Sequence, residues 1–180
     1  MDTIVWILIL LTAFNFLLKQ TFWKPVAVGA AAGIAAIFVI LMWPYAIEQS
    51  KTQIADWLSD NQLMLDTSVV LTLEIVLQMA FCLLAVHVAN YSPVKKRMML
   101  AYRLLYWFPG VLIIPVLFFG LTQAVFSFPG VSFKLIAWFF GAFVFVIIPL
   151  GRWLIKWLLP EEDLRLELFF LTDALVAILG

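Results

Sequence analysis

The chain has 180 residues, 66% of them hydrophobic and only 12% charged. Soluble domains average about 45–50% apolar and 25% charged residues, so a bilayer is the solvent this composition suits. Eleven basic residues balance eleven acidic ones, leaving no basic excess for nucleic acid and no acidic tail. One cysteine, Cys82, and one histidine, His87, exclude a disulfide framework and a multi-ligand Cys or His metal site.

A membrane-crossing helix needs about 20 mostly apolar residues. The hydropathy pattern predicts an all-α, polytopic membrane protein: a single domain of six transmembrane helices and one short interfacial helix. The first span covers residues 3–18. It lacks a positive leading segment, since Asp2 is the only early charge, so it reads as a span rather than a signal peptide. The second, 25–46, is rich in small residues. Gly29 and Gly33 form a GxxxG spacing that Ala32 and Ala36 continue, a pattern that lets helix backbones approach closely. Residues 47–61 place Ile47, Ile54, Trp57 and Leu58 near one helical face, as in a helix lying on the membrane surface.

The third span, 63–88, carries Asp66, Glu74, Gln78 and His87. The fourth, 100–126, contains Pro109, Gly110 and Pro115, and each proline removes an intrahelical hydrogen bond and invites a kink. The fifth covers 133–150. The sixth, 164–180, holds Glu167 and Asp173 behind an acidic start at Glu161, Glu162 and Asp163, which complements the positive helix N-terminus. Gly180 ends the chain without a polar tail, which leaves room for a continuation.

Basic residues orient this arrangement. Lys19, Lys24, Lys95, Lys96, Arg97, Arg103, Arg152, Lys156 and Arg165 fall on one side, and only Lys51 and Lys134 on the other. The split predicts both termini outside the cytoplasm. Tryptophans near both predicted membrane faces agree with it, Trp6, Trp43, Trp57 and Trp138 at one and Trp23, Trp107, Trp153 and Trp157 at the other.

Charges within the hydrocarbon are costly and mark functional positions. At about 1.5 Å per residue, Glu74 lies roughly 15 Å from one end of its span and Asp173 roughly 13 Å from the opposite end of its own. Both acids therefore fall near the midplane, where no Lys or Arg of the chain is expected. Three resolutions stand open: a neutral, protonated acid, a water-filled path, or a basic residue on a partner subunit. Gln78 shares a helix face with Glu74. Asp66 lies nearer the outer boundary, and Glu167 lies where Lys156 or Arg152 can pair with it. The candidate proton or partner contacts are thus Glu74, Asp173, Gln78 and Asp66. The candidate packing residues are Gly29, Gly33, Ala32 and Ala36.

No phosphate loop, dinucleotide fingerprint, HExxH or GxSxG occurs, so neither an enzyme nor a cofactor or metal site is expected. The opening run IVWILILLTAFNFLLKQTFW and the closing run DLRLELFFLTDALVAILG resemble the small accessory membrane subunits of bacterial haem-uptake (Hmu-type) systems. Those subunits accompany ExbB/TolQ-like and ExbD-like proteins. The resemblance implies an inner-membrane subunit of a proton-driven complex, with the lipid bilayer and other membrane subunits as partners. The alternative is a small-molecule-binding component like the vitamin-binding subunits of energy-coupling-factor transporters. Those usually present their termini inside, against the charge split.

Overall fold

The computed structural model describes residues 2–48, 61–90, 95–128 and 130–179, with side chains described from residue 5 in the first stretch and residue 67 in the second. These residues form seven helices and no strand: α1 (Asp2–Gln20), α2 (Pro25–Glu48), α3 (Asn61–Asn90), α4 (Lys96–Trp107), α5 (Ile113–Ser127), α6 (Phe133–Leu158) and α7 (Glu162–Leu179). Three segments are long and apolar enough to cross a membrane: Pro25–Glu48, Thr67–Asn90 and Phe133–Leu158. Val5–Gln20 and Ile113–Ser127 are apolar but shorter. The interfacial helix expected over 47–61 falls mainly on residues outside the described set.

Helix α1 is a shared wall. On one side it contacts α5 and α6, which pack with α2; on the other it contacts α7, which packs with α3, while α4 lies against α3. Two apolar clusters largely follow this division, with Ile155 of α6 crossing it. One contains Phe16, Val28, Ala32, Val39, Leu121, Val144 and Ile148. The other is built around Leu18, Phe81, Leu105, Ile155 and Phe169. In lipid, apolar side chains gain little from leaving their surroundings, so close packing and polar contacts hold such helices together. Trp138, Phe139, Phe143, Trp153 and Trp157 of α6 point outward, as lipid-facing aromatic residues do.

The fourth span expected over 100–126 is not one helix. It ends at Trp107 and resumes at Ile113. Pro109 has no N–H to continue the ladder, and Gly110 has φ +97°, a conformation that favours glycine. The proline-glycine pair therefore breaks the helix where a kink was expected. Pro115 falls in the first turn of α5, where a missing N–H costs nothing.

The closest approach of α2 and α6 is also not where the GxxxG spacing put it. A Cβ added to Gly29 or Gly33 would meet no atom within 4 Å. Ala32 and Ala36 are buried. The close approach comes from α6, where a Cβ on Gly141 would lie 2.8 Å from Ile40 Cγ1 and 3.3 Å from the Ala36 carbonyl oxygen.

The hairpin turn between α1 and α2 is clamped by two other helices. The Tyr106 hydroxyl donates to the Phe22 carbonyl at 2.5 Å, and Trp23 Nε1 donates to the Tyr106 carbonyl at 2.7 Å. Arg152 donates to the carbonyls of Gln20 and Trp23, placing a cation at the negative end of α1. Trp23 is thus buried. Of the two partners expected for Glu167, Lys156 or Arg152, Arg152 is engaged with backbone, and Glu167 is exposed.

Candidate functional site

Glu74 and Asp173 are 3% and 1% exposed, and one hydrogen-bonded chain joins them. Gln78, one turn after Glu74 on α3, donates through Nε2 to Glu74 Oε1 at 2.8 Å. Gln78 Oε1 accepts from Asn15 Nδ2 of α1 at 2.8 Å. The same Asn15 amide donates to Asp173 Oδ1 of α7. The Thr172 hydroxyl donates to Asn15 Oδ1 at 2.8 Å, and the Phe169 and Leu168 carbonyls are alternative acceptors for the same single hydrogen. Asn15 therefore uses both amide hydrogens and its oxygen, and it is the junction of three helices.

The two acids differ in how completely they are satisfied. Glu74 Oε2 accepts the backbone N–H groups of Val111 and Leu112, each at 2.7 Å. These are donors that the broken fourth span leaves at the start of α5, where the helix dipole is positive and N–H groups lack intrahelical partners. Including Gln78, three donors converge on one carboxylate. Gly110 makes the approach possible, because a Cβ there would lie 2.7 Å from Glu74 Oε1 and 3.2 Å from Gln78 Nε2. Asp173 has the opposite character: Oδ1 receives Asn15, and Oδ2 is buried with no partner.

A buried cation stands nearby, contrary to the expectation that the chain offers none. The sequence places Lys19 between two spans, yet α1 extends through Gln20 and holds Lys19 in its last turn at 2% exposure. Its Nζ lies 2.9 Å from the centre of the Phe81 ring and 5.5 Å from that of Phe169, within the range at which an aromatic ring attracts a cation. Lys19 sits one helical turn beyond Asn15, which donates to Asp173. Each acid thus has partners within the chain: a helix terminus for Glu74, and Asn15 for Asp173, with Lys19 one turn beyond Asn15. Beside Lys19, the Gln20 amide is buried with both atoms unpaired.

Thr12, Asn15, Phe16, Glu74, Gln78 and Asp173 are among the residues lining a small cavity of about 10 Å³. A void of that size is near the minimum for a single water molecule. Both acids border it, as does Gly110.

Of the residues singled out from sequence, Glu74, Gln78 and Asp173 meet in one place. The Asp66 side chain lies outside the described residues. Asn15, Thr172 and Lys19 complete the cluster and were not singled out. Asn15 carried a legible signal, as an amide within an otherwise apolar span. Thr172 carried none, since a threonine beside an aspartate is unremarkable in a helix. Cys82 is buried, with Sγ 4.0 Å from the Leu166 carbonyl. Among the described residues no group of three or more Cys, His, Asp or Glu is placed to hold a metal ion. No family model matches the chain, and no curated protein or solved structure matches it.

Proposed function

We propose that this chain is a non-catalytic integral membrane subunit of a multi-protein transport or energising complex driven by the proton-motive force. In this reading it crosses a bacterial inner membrane six times, with α4 and α5 sharing one broken span and both termini outside the cytoplasm. The observation that carries the proposal is the buried pair of carboxylates, Glu74 and Asp173, linked through Gln78 and Asn15 across three helices. Glu74 accepts three hydrogen bonds and serves as the anchor. Asp173 keeps one oxygen open and is the proton-exchanging group. The resemblance of the end segments to haem-uptake accessory subunits supports the same assignment.

The test is Asp173→Asn in the complex purified gently from the native membrane. Asparagine preserves shape and can still accept from Asn15, so partners should co-purify in normal amounts. Proton flux through the reconstituted complex should fall at least tenfold. Unchanged flux in a fully assembled complex overturns the proposal.

A second reading, as a small-molecule-binding component, is favoured by one feature. A groove of about 860 Å³ between α3, α4 and α7 is lined by Leu83, Val86, Tyr102 and Phe170, with Glu162 and Glu167 among its polar residues. That volume lies within the range of ligand pockets. Mass spectrometry of the natively purified chain would find a stoichiometric small molecule under this reading and none under the first.

A further inference from the structure

We infer that the cavity between Glu74 and Asp173 is a binding site for one internal water molecule, which bridges the two carboxylates and carries the proton between them. The inference deepens the proton-exchange reading and rests on it for the role of the water, though not for its presence.

The first support is an unpartnered acceptor. Asp173 is 1% exposed, lines the cavity, and has its Oδ2 buried without a hydrogen bond. A buried acceptor left unsatisfied costs free energy comparable to a lost hydrogen bond, and buried waters typically occupy such positions. The second support is size. About 10 Å³ admits one water and excludes a hydrated ion. The third is the set of neighbours. Glu74 Oε1 and Gln78 Oε1 each accept one hydrogen bond within the chain and retain a lone pair. A water donating to Asp173 Oδ2 and to Glu74 Oε1 reaches the minimum of two polar partners.

The chemistry also requires such a bridge. The existing path from Asp173 to Glu74 runs through the side-chain amides of Asn15 and Gln78. An amide N–H donates a hydrogen bond but does not pass a proton onward without rearranging to its imidic form. Water does so directly. As the O–H bond of protonated Asp173 breaks, a bond forms to the water oxygen, and one of the original water protons moves to Glu74 Oε1. The water is regenerated, the proton changes carboxylate, and no electrons are transferred. Lys19 and the N–H groups of Val111 and Leu112 stay fixed as countercharges.

The test uses the full chain in lipid nanodiscs. High-resolution density should show one ordered peak within hydrogen-bond reach of both Asp173 Oδ2 and either Glu74 Oε1 or Gln78 Oε1. Infrared difference spectra across a pH titration should contain a water O–H stretch that shifts when H₂¹⁸O replaces H₂¹⁶O. Val176 borders the cavity. Val176→Ile should abolish the shifting band by filling the void, and Val176→Ala should retain it. The pair keeps the test decisive if one variant folds poorly. An empty cavity, a peak bonded to four or more oxygens as a metal ion would be, or a band that survives Val176→Ile overturns the inference. An ordered water in a protein whose Asp173→Asn complex conducts normally would overturn only the functional reading.

Discussion

Gly110 lies so close to Glu74 that a Cβ built on it would sit 2.7 Å from the carboxylate oxygen Oε1. The positive φ of Gly110 and the position of Glu74 are one solution to one problem. A helix broken within the apolar region leaves backbone donors that lipid cannot satisfy, so a side chain from a neighbouring helix must reach them. That reach needs a residue without a side chain at the break.

Gly110→Ala should therefore be destabilising for two reasons. An L-residue in the left-handed region costs about 1–2 kcal/mol, and the methyl group pushes Glu74 off its donors. Gly130 supplies the control, having φ +94° and no atom within 4 Å of a built Cβ. Unfolding in mixed micelles should show Gly130→Ala losing only the backbone contribution and Gly110→Ala losing clearly more. Equal losses would mean that Glu74 gives way freely.

Removing the carboxylate should be worse than crowding it. Glu74→Ala leaves the Val111 and Leu112 N–H groups and the Gln78 amide without their acceptor, at about 1–3 kcal/mol per unsatisfied buried group. Glu74→Gln retains one acceptor oxygen and should recover a large part of the loss. Amide exchange at Val111 and Leu112 reads this directly. Both should exchange much faster in Glu74→Ala, with Glu74→Gln in between. Unchanged protection in the alanine variant would dismiss the cap.

Lys19 and Asp173 should be energetically coupled. Lys19→Met removes the buried cation and leaves Asp173 with Asn15 alone. Asp173→Asn leaves Lys19 without a nearby carboxylate. A double-mutant cycle should give an interaction of about 0.5–3 kcal/mol, the double variant being less destabilised than the sum of the two. Additivity within about 0.3–0.5 kcal/mol would mean that Phe81 and Phe169 suffice to hold the ammonium group.

On the α2–α6 contact, Gly141→Ala should separate the helices and cost about 1–3 kcal/mol as overpacking, with Ile40→Ala relieving part of it. Gly33→Ala meets no neighbour and should be neutral or stabilising by up to about 1 kcal/mol, because alanine suits a helix better than glycine. Circular dichroism during stepwise denaturation distinguishes the two. A large loss at Gly33 in the isolated chain would contradict the open face.

How far the sequence could be read depended on whether a feature was local. Composition and long apolar runs identified α2, α3 and α6, because hydropathy is a property of consecutive residues. Glu74, Gln78 and Asp173 stood out because ionisable or amide groups in apolar spans are conspicuous wherever they point. The Pro109–Gly110 pair was visible too, but a kink and a full break leave the same signature. Which it becomes depends on an acceptor 35 residues or more away. Lys19 was assigned to a loop because a lysine after an apolar run usually lies at a boundary. Its burial depends on the rings of Phe81 and Phe169, which no local pattern reveals. The GxxxG spacing of Gly29 and Gly33 marks a smooth helix face without stating which neighbour, if any, lies against it. The partner glycine, Gly141, stands alone among aromatic residues and shows no repeat.

The junction at Asn15 has a consequence for the order in which the protein is made. Asn15 lies on α1, and its partners Thr172 and Asp173 come 157 and 158 residues later in the chain. Until α7 is made, Asn15 lacks its contacts to Thr172 and Asp173 and has only Gln78 of α3 as a partner. The nascent bundle is therefore unfinished in a chemically specific way. A single hydrogen-bond junction closes only when α7 packs against α1 and α3.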